Sequence, residues 1–109
     1  MQLMTLREIC NVTKVSRRAV QGYAKAQLVK AVSKNDRGHL LYDEKGKEKI
    51  ILIKTFQNMG FSIKEIKHIT SVPKEEVKVI LENRIEILKM EGRQIDNIIK
   101  VAEEIIQQL

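Results

Sequence analysis

A short run of long polar side chains between positions 16 and 25 is the part of this chain best suited to recognition chemistry. Ser16 can cap a helix by accepting a backbone N–H from the next turn. Guanidinium and amide groups at the start of such a helix can pair with base edges and phosphates in a DNA groove. A solvated face on a small packed helix is the alternative that this run alone leaves open. The residues concerned are Ser16, Arg17, Arg18, Gln21, Tyr23 and Lys25.

The positive charge of the chain is concentrated in its first half. The chain has 109 residues and a net charge of +6. Residues 1–60 hold 12 Lys and Arg against 5 Asp and Glu, whereas residues 61–109 hold 8 against 9. The first half is therefore expected to attract a polyanion, and the second half to have another task.

Length and composition exclude several classes of protein. A chain of this size forms one domain, or one domain with an appended element. No run of about 18 apolar residues is present, so no membrane association is expected, and the N-terminus lacks the apolar core of a secretion signal. Cys10 is the single cysteine, which excludes an internal disulfide and fits a reducing compartment. We expect a cytoplasmic protein that associates with the nucleoid.

The sequence offers no set of residues for catalysis or for metal binding. Gly46-Lys47 lacks the rest of a phosphate-binding loop. Cys10, His39 and His68 lack the spacing of metal ligands. The chain is therefore expected not to be an enzyme and to carry no cofactor or metal.

Two short helices are predicted at the N-terminus. Thr5 and Glu8 form the capping-box pattern T-x-x-E, which predicts a helix over residues 4–12. Ser16 then starts a second helix after a short polar connection. Two short helices joined in this way, with the donors on the second, are typical of a helix-turn-helix.

The segment between residues 28 and 42 is predicted to form a two-stranded wing. Apolar residues up to Val32 favour an extended run, residues 33–38 form a polar turn, and residues 39–42 return as a second strand. Lys34 and Arg37 lie at or near the tip, where they could contact phosphates. A plain surface hairpin with charges that protect its edges is the alternative.

Two further helices are predicted before residue 70. Asp43 caps a helix that runs to about Met59, and its apolar residues, Ile50 to Ile53 and Phe56, are expected to form the core. Gly60 ends this helix. Ser62 and Glu65 then form a second capping box, which starts a short helix to about Thr70.

Residues 73–109 show the heptad spacing of a coiled coil, which predicts one helix of about 37 residues, about 55 Å long. A body of about 70 residues cannot cover such an apolar stripe, so we expect the helix to pair with its own copy.

Residues 1–71 are assigned to DNA binding and residues 72–109 to dimerisation. Gly92 interrupts the stripe, either for close backbone approach or as a bend. The predicted dimerisation residues are Leu81, Ile85, Leu88, Ile95, Ile99, Ala102, Ile106 and Leu109.

Several ordered motifs in this chain resemble the MerR family of bacterial transcription regulators. They are L-x-E-I at Leu6–Ile9, V-S-x-R at Val15–Arg18 and G-F-S-x-x-E-I at Gly60–Ile66. The resemblance implies a mostly α-helical, winged helix-turn-helix dimer that binds a pseudo-palindromic duplex, in a short form without an effector domain. It also implies that Arg18 and Tyr23 contact DNA or support the recognition helix, and Tyr42 in the wing is taken as a DNA-binding residue.

The chain departs from the usual pattern of that family at four positions. Gln21 replaces an arginine and Gly22 a tyrosine, while Ala24 stands at the place of a glutamate and Leu40 at the place of an arginine. Because an acid and a base are lost together, we hypothesise that the positions of Ala24 and Leu40 interact. The departures affect DNA contacts and sequence preference more than the fold.

Three functions follow as hypotheses. The first is a homodimeric regulator that binds a promoter site sequence-specifically, with RNA polymerase as a further partner. The second is an architectural or recombination-associated protein that uses the same module to anchor or bend DNA. The third is a coiled-coil interaction protein with no role in nucleic-acid binding.

Overall fold

The computed structural model describes residues 2–91 and 96–109, which are mostly helical. By its contacts the chain divides into two compact units, Met1–Lys54 and Thr55–Leu109. No described helix combines the length and hydrophobicity that a membrane span requires. The elements are β1 (Met4–Thr5), α1 (Leu6–Thr13), α2 (Arg17–Lys25), β2 (Ser33–Lys34), β3 (Leu40–Tyr42), α3 (Glu44–Asn58), α4 (Ile63–Ile69), α5 (Lys74–Met90) and α6 (Asp96–Gln108).

Helix α1 begins at the predicted capping box. The backbone N–H of Glu8 donates to the Thr5 hydroxyl at 3.3 Å, and the backbone N–H of Thr5 donates to the Glu8 carboxylate at 3.0 Å. Two of the N–H groups that a helix leaves unpaired at its start are thereby satisfied. The helix ends at Thr13, and Lys14 follows in the left-handed region with φ 61°.

Helix α2 begins at Ser16, as predicted, and its inner face is buried. The Ser16 hydroxyl accepts the backbone N–H of Ala19 at 3.1 Å. Val20 and Tyr23 are buried on this helix. At its end the backbone N–H of Leu28 donates to the Tyr23 carbonyl at 2.9 Å, with Gln27 at φ 64°. This is the hydrogen bond of a Schellman motif, with glutamine at the position that glycine usually occupies.

The predicted wing is present, and it belongs to a three-stranded antiparallel sheet with strand order β1-β3-β2. The register pairs Met4 with Tyr42 and Ser33 with Leu41. Strand β1 was not predicted, because two residues are too few to show an alternating pattern. Residues 28–32, which were expected to be extended, lie outside the strands.

Helix α3 confirms the predicted cap and part of the predicted core. The Asp43 carboxylate accepts the backbone N–H of Gly46 at 2.9 Å. Ile51 and Leu52, which were expected in the core, are 44% and 37% exposed. A run of four apolar residues on a helix spans more than one face, so its middle members point away from the outer two. The buried apolar residues are Ile50, Ile53 and Phe56.

In the second unit, Arg84 of α5 contacts the residues around the start of α4. The backbone N–H of Glu65 donates to the Ser62 hydroxyl at 3.1 Å, and the N–H of Ser62 donates to the Glu65 carboxylate at 2.9 Å. The Arg84 guanidinium lies 4.4 Å from the Phe61 ring centroid and 3.6 Å from the Glu65 carboxylate. The hydrogen bonds from Ser62, and then the charge of Arg84, lower the pKa of Glu65.

The long C-terminal helix is present, but it is shorter than the expected 37 residues. Helix α5 has 17 residues and ends with Glu91 as its C-cap. Helix α6 (13 residues) contacts α5. Gly92 was predicted to allow close backbone approach or to mark a bend, and Ile95 was predicted to contact the partner chain. Both residues lie outside the described residues. The assignment of residues 72–109 to dimerisation stays a prediction.

Helix α5 has apolar residues on two opposite faces. Val79, Ile87 and Met90 are 55%, 43% and 85% exposed, and at 100° per residue they lie within a quarter-turn of one another. The opposite face is buried and consists of Val77, Leu81, Ile85 and Leu88. Three of the predicted dimerisation residues are therefore packed within one chain, as is Ala102. Ile99 and Ile106 are half-buried, and Leu109 is 39% exposed.

Candidate nucleic-acid interface

The outer surface of α2 carries the donors that sequence analysis selected. Residues 17, 21 and 24 share one line along the helix, and residues 18, 22 and 25 form the adjacent line. Arg17, Arg18, Gln21 and Lys25 are all exposed, and so is the capping residue Ser16. Because Val20 and Tyr23 bury the other side, the donors point away from the protein.

The charges on this surface are not compensated. Within residues 2–91 and 96–109, the ion pairs join Lys47 to Glu44 and Arg84 to Glu65. The guanidinium groups of Arg17 and Arg18 therefore have no acidic partner in the described part of the chain. Unpaired cations on a rigid helix are suited to bind an anion.

The tip of the wing adds two more cations. Lys34 is exposed in β2, immediately before the turn, and Arg37 is exposed within the turn. The Asn35 carboxamide oxygen accepts the backbone N–H groups of Arg37 at 3.0 Å and of His39 at 2.9 Å. Gly38 takes φ +79°, a conformation that glycine adopts without strain. The turn thus holds Arg37 outward, at the predicted place.

Tyr23 and Tyr42 are buried rather than exposed on the donor surface, although Tyr42 lines the cavity described below. Their role in DNA binding stays a prediction. Their exposed fractions are 1% and 3%. Burial raises the pKa of both phenols, and the nearby Cys10 adds to the effect on Tyr42. Two neutral, buried rings can support α2 and β3 from inside, which for Tyr23 is the second role that the resemblance offered.

An open cavity of about 510 Å³ lies where the start of α1, helix α2 and strand β3 meet. Arg7 and Arg17 contribute to its polar lining, and Ala24 and Leu40 to its apolar lining. Ala24 and Leu40, the two positions hypothesised to interact, thus line one space. The place of Arg7 was not predicted, because the pairing of β1 with β3 is needed to bring α1 to this surface.

The described residues contain no cluster of three or more His, Cys, Asp or Glu side chains placed to hold a metal ion. Cys10 is a half-buried free thiol.

The family model described as MerR HTH family regulatory protein matches residues 4–72, well over half of this chain. The chain belongs to the MerR family. A curated relative, the HTH-type transcriptional activator mta of Bacillus subtilis (strain 168), is 26% identical over 98 residues. The match covers 90% of this chain and 38% of the length of that activator.

Solved structures share the same fold. The N-terminus of the Bacillus subtilis multidrug transporter activator, MtaN, has a TM-score of 0.72 at 25% identity, covering 93% of this chain and 95% of that one. A MerR-family transcriptional regulator from Bacillus cereus has a TM-score of 0.70 at 24% identity, covering 98% and 82%. HiNmlR, a MerR family regulator lacking the sensor domain and bound to promoter DNA, has a TM-score of 0.71 at 20% identity, covering 88% and 77%.

One departure from the MerR pattern leaves a gap on the donor surface. A Cβ at Gly22 would meet no atom within 4 Å. Glycine in the interior of a helix costs about 1 kcal/mol relative to alanine, and the packing of this chain does not require it. Gly22 therefore leaves a notch between Arg18 and Lys25, where a partner can approach the helix backbone.

Proposed function

We propose that this MerR-family chain binds double-stranded DNA sequence-specifically as a homodimer, at a promoter site with two half-sites, and so regulates transcription. The observation that carries the proposal is the outer surface of α2, where Arg17 and Arg18 have no acidic partner among the described residues. The cationic wing tip and the excess of positive charge in residues 1–60 also favour binding to a polyanion.

The hydrogen-bond donors on α2 can pair with acceptor atoms on the edges of bases in the major groove. Arginine pairs bidentately with guanine, and Gln21 can pair in the same way with adenine. Lys34 and Arg37 on the wing are suited to phosphates, which set the position of the protein on the duplex. In this arrangement α2 contacts the bases and determines sequence preference, and the wing contacts the phosphates and fixes the position of α2 on the duplex.

The exposed apolar residues of α5 and α6 support a homodimer. Val79, Ile87 and Met90 form an outer face of α5 that lacks a partner in the described chain, and Val101 and Leu109 are exposed on the C-terminal segment. We propose that a second copy covers these residues together with Ile99 and Ile106. A dimer places two recognition helices on one duplex, which requires a pseudo-palindromic site.

Two modes of regulation follow from binding at a promoter. A bound dimer can distort the DNA between promoter elements so that RNA polymerase engages both, or it can block the polymerase. Transcription in vitro from a selected promoter distinguishes activation from repression. Tight specific binding without any effect on the transcript would contradict both modes.

DNA binding is tested by selecting preferred duplexes from a random pool and measuring affinity as a function of salt. The triple variant Arg17→Ala, Arg18→Ala and Arg37→Ala should weaken binding by several kcal/mol, because hydrogen bonds to charged groups contribute about 1.5–3 kcal/mol each. Its matched control replaces three exposed lysines of the second unit and removes the same charge. That control, which should bind almost as well as wild type, is Lys64→Ala, Lys67→Ala and Lys74→Ala.

Recovery of no preferred duplex at moderate salt would contradict sequence-specific recognition. Equal losses in the two triple variants would show that only net charge matters. Genome-wide mapping of binding sites tests the regulatory role, since promoters are expected among the sites. Sites confined to attachment or origin-like sequences would instead favour an architectural role.

Dimerisation is tested by sedimentation equilibrium at micromolar concentration. The double variant Ile87→Asp and Met90→Asp should be monomeric, because burying two carboxylates in an apolar interface is strongly unfavourable. A control with Asn11→Asp and Asn58→Asp adds the same charge at exposed positions and should remain dimeric. A monomeric wild-type chain would refute the homodimer.

A further inference from the structure

We propose that the cavity between α1, α2 and β3 receives one sugar–phosphate of the bound DNA strand, with Arg7 as a further phosphate ligand. The proposal rests on the DNA binding proposed above and adds to it a contact with the DNA backbone. The chemical class of the occupant is the deoxyribose phosphate of a DNA backbone.

The polar part of the cavity points to an anion. Arg7 comes from α1 and Arg17 from α2, yet both line the same opening, and no carboxylate lies among its lining residues. Neither guanidinium has an ion pair in the described part of the chain. Two uncompensated guanidinium groups at one opening favour a phosphate, which accepts hydrogen bonds from both.

The apolar part of the cavity points to more than a free phosphate. Leu6, Ala24 and Leu40 also line it, and Leu40 is 45% exposed although it lies in a strand. An inorganic anion would leave these carbon atoms in contact with water. A deoxyribose attached to the phosphate presents a carbon-rich face that can cover them, because burying apolar area is favourable.

The position of the cavity fits a strand that also crosses the recognition helix. Arg17 and Gln21 belong both to the outer surface of α2 and to the cavity lining. A strand held by these residues therefore continues into the cavity, where Arg7 approaches from the side of α1. Contact at this place involves the DNA backbone, so it is expected to be independent of base sequence.

The test measures the affinity of Arg7→Ala for the selected duplex and for a scrambled duplex over a range of salt concentrations. We expect about a tenfold or greater loss on both duplexes, since a hydrogen bond between charged groups is removed. The slope of log affinity against log salt should also fall in magnitude by about one. Lys78→Ala, which removes an exposed cation from α5, should leave the slope unchanged.

A second pair of variants tests the cavity itself. Leu40→Glu places a carboxylate beside the expected phosphate and should weaken binding to both duplexes by tenfold or more. Leu40→Gln, of the same size without the charge, should lose clearly less. Because Leu40 is already exposed, both variants should keep the thermal stability of wild type, which circular dichroism checks.

The outcomes separate this inference from the proposed function. If the wild-type chain selects no duplex, DNA binding itself fails. If the wild type binds with steep salt dependence while Arg7→Ala keeps the full slope, or Leu40→Glu binds as tightly as wild type, only the cavity site is overturned. A loss confined to the selected duplex would also overturn it, because it would show base contact.

Discussion

Helices α2 and α5 show opposite uses of an exposed helix face. Helix α2 buries Val20 and Tyr23 and turns long cationic donors outward. Helix α5 buries one apolar face and exposes a second one with Val79, Ile87 and Met90. The first surface lacks counter-charges and the second lacks apolar cover. The difference shows that the two exposed faces differ in chemistry: the face of α2 suits the polyanion proposed above, and the face of α5 suits the apolar partner proposed above.

The largest effect on stability is expected on the buried face of α5. Leu81 has an exposed fraction of 0%, so Leu81→Ala should reduce the free energy of unfolding by about 2–5 kcal/mol through lost burial and a remaining cavity. Val79→Ala, on the exposed face, should reduce it by less than about 1 kcal/mol. Urea denaturation measures both, at a concentration low enough that the chain is monomeric and no second copy covers Val79. Equal losses would contradict the assignment of the two faces.

The two capping boxes should stabilise the two units to a similar extent. Thr5→Ala in the first unit and Ser62→Ala in the second each remove one side-chain acceptor from a helix start. Each should lower the free energy of unfolding by about 1 kcal/mol. Thr5→Ser and Ser62→Thr keep the hydroxyl and should change it by only a few tenths. A loss at one box without a loss at the other would show that the two units unfold separately.

Glycine should have opposite effects at two neighbouring positions near the end of α2. Gln27 has φ 64°, so Gln27→Gly relieves left-handed strain and should stabilise the chain by about 0.5–1 kcal/mol. Lys25 is the last residue of the helix, so Lys25→Gly should destabilise it, by up to about 1 kcal/mol. Thermal unfolding followed by circular dichroism gives the sign of each change. The same sign in both variants would refute the Schellman geometry.

The smallest expected effect is a pH dependence at Glu65. The pKa of Glu65 is lowered from its ordinary value of 4.5, first by the backbone N–H of Ser62 and then by the Ser62 hydroxyl and Arg84. A carboxyl with a lowered pKa stabilises the fold above its ordinary pKa, and that contribution disappears as the pH falls through the lowered value. The stability difference between wild type and Glu65→Gln should therefore stay constant from neutral pH to about pH 5 and shrink below 4.5. Urea denaturation at several pH values measures this difference, and growth on acidification would contradict the prediction.

The parts of the fold that sequence analysis predicted depend on local patterns. Both capping boxes and the Asp43 cap join residues that are three apart in the chain, so the backbone conformation follows from a few neighbouring residue types. The donors of α2 were found for the same reason, because a cap fixes the helix start and helical periodicity then sets its faces. The wing was predicted from a local pattern too, a polar turn between two apolar runs.

The C-terminal region could not be predicted in the same way. Apolar residues at intervals of three and four fit a helix that packs against another chain, and they fit equally a helix that packs against the next segment of its own chain. Helix α6 contacts α5. Leu81, Ile85 and Leu88 are buried within the chain, and the exposed apolar residues lie on the other face of α5. Periodicity identifies an apolar face but does not identify its partner.

The sequence by itself determined the helix starts, the donor surface of α2, the charge of the first half and the family, because each depends on residue types at short, regular spacing. The tertiary structure alone decided three further features. It buried Tyr23 and Tyr42, divided the apolar residues of α5 between two faces, and brought Arg7 to the cavity beside Arg17. These features depend on which distant segments pack together, and that is set by the sum of many weak contacts across the chain rather than by any local pattern.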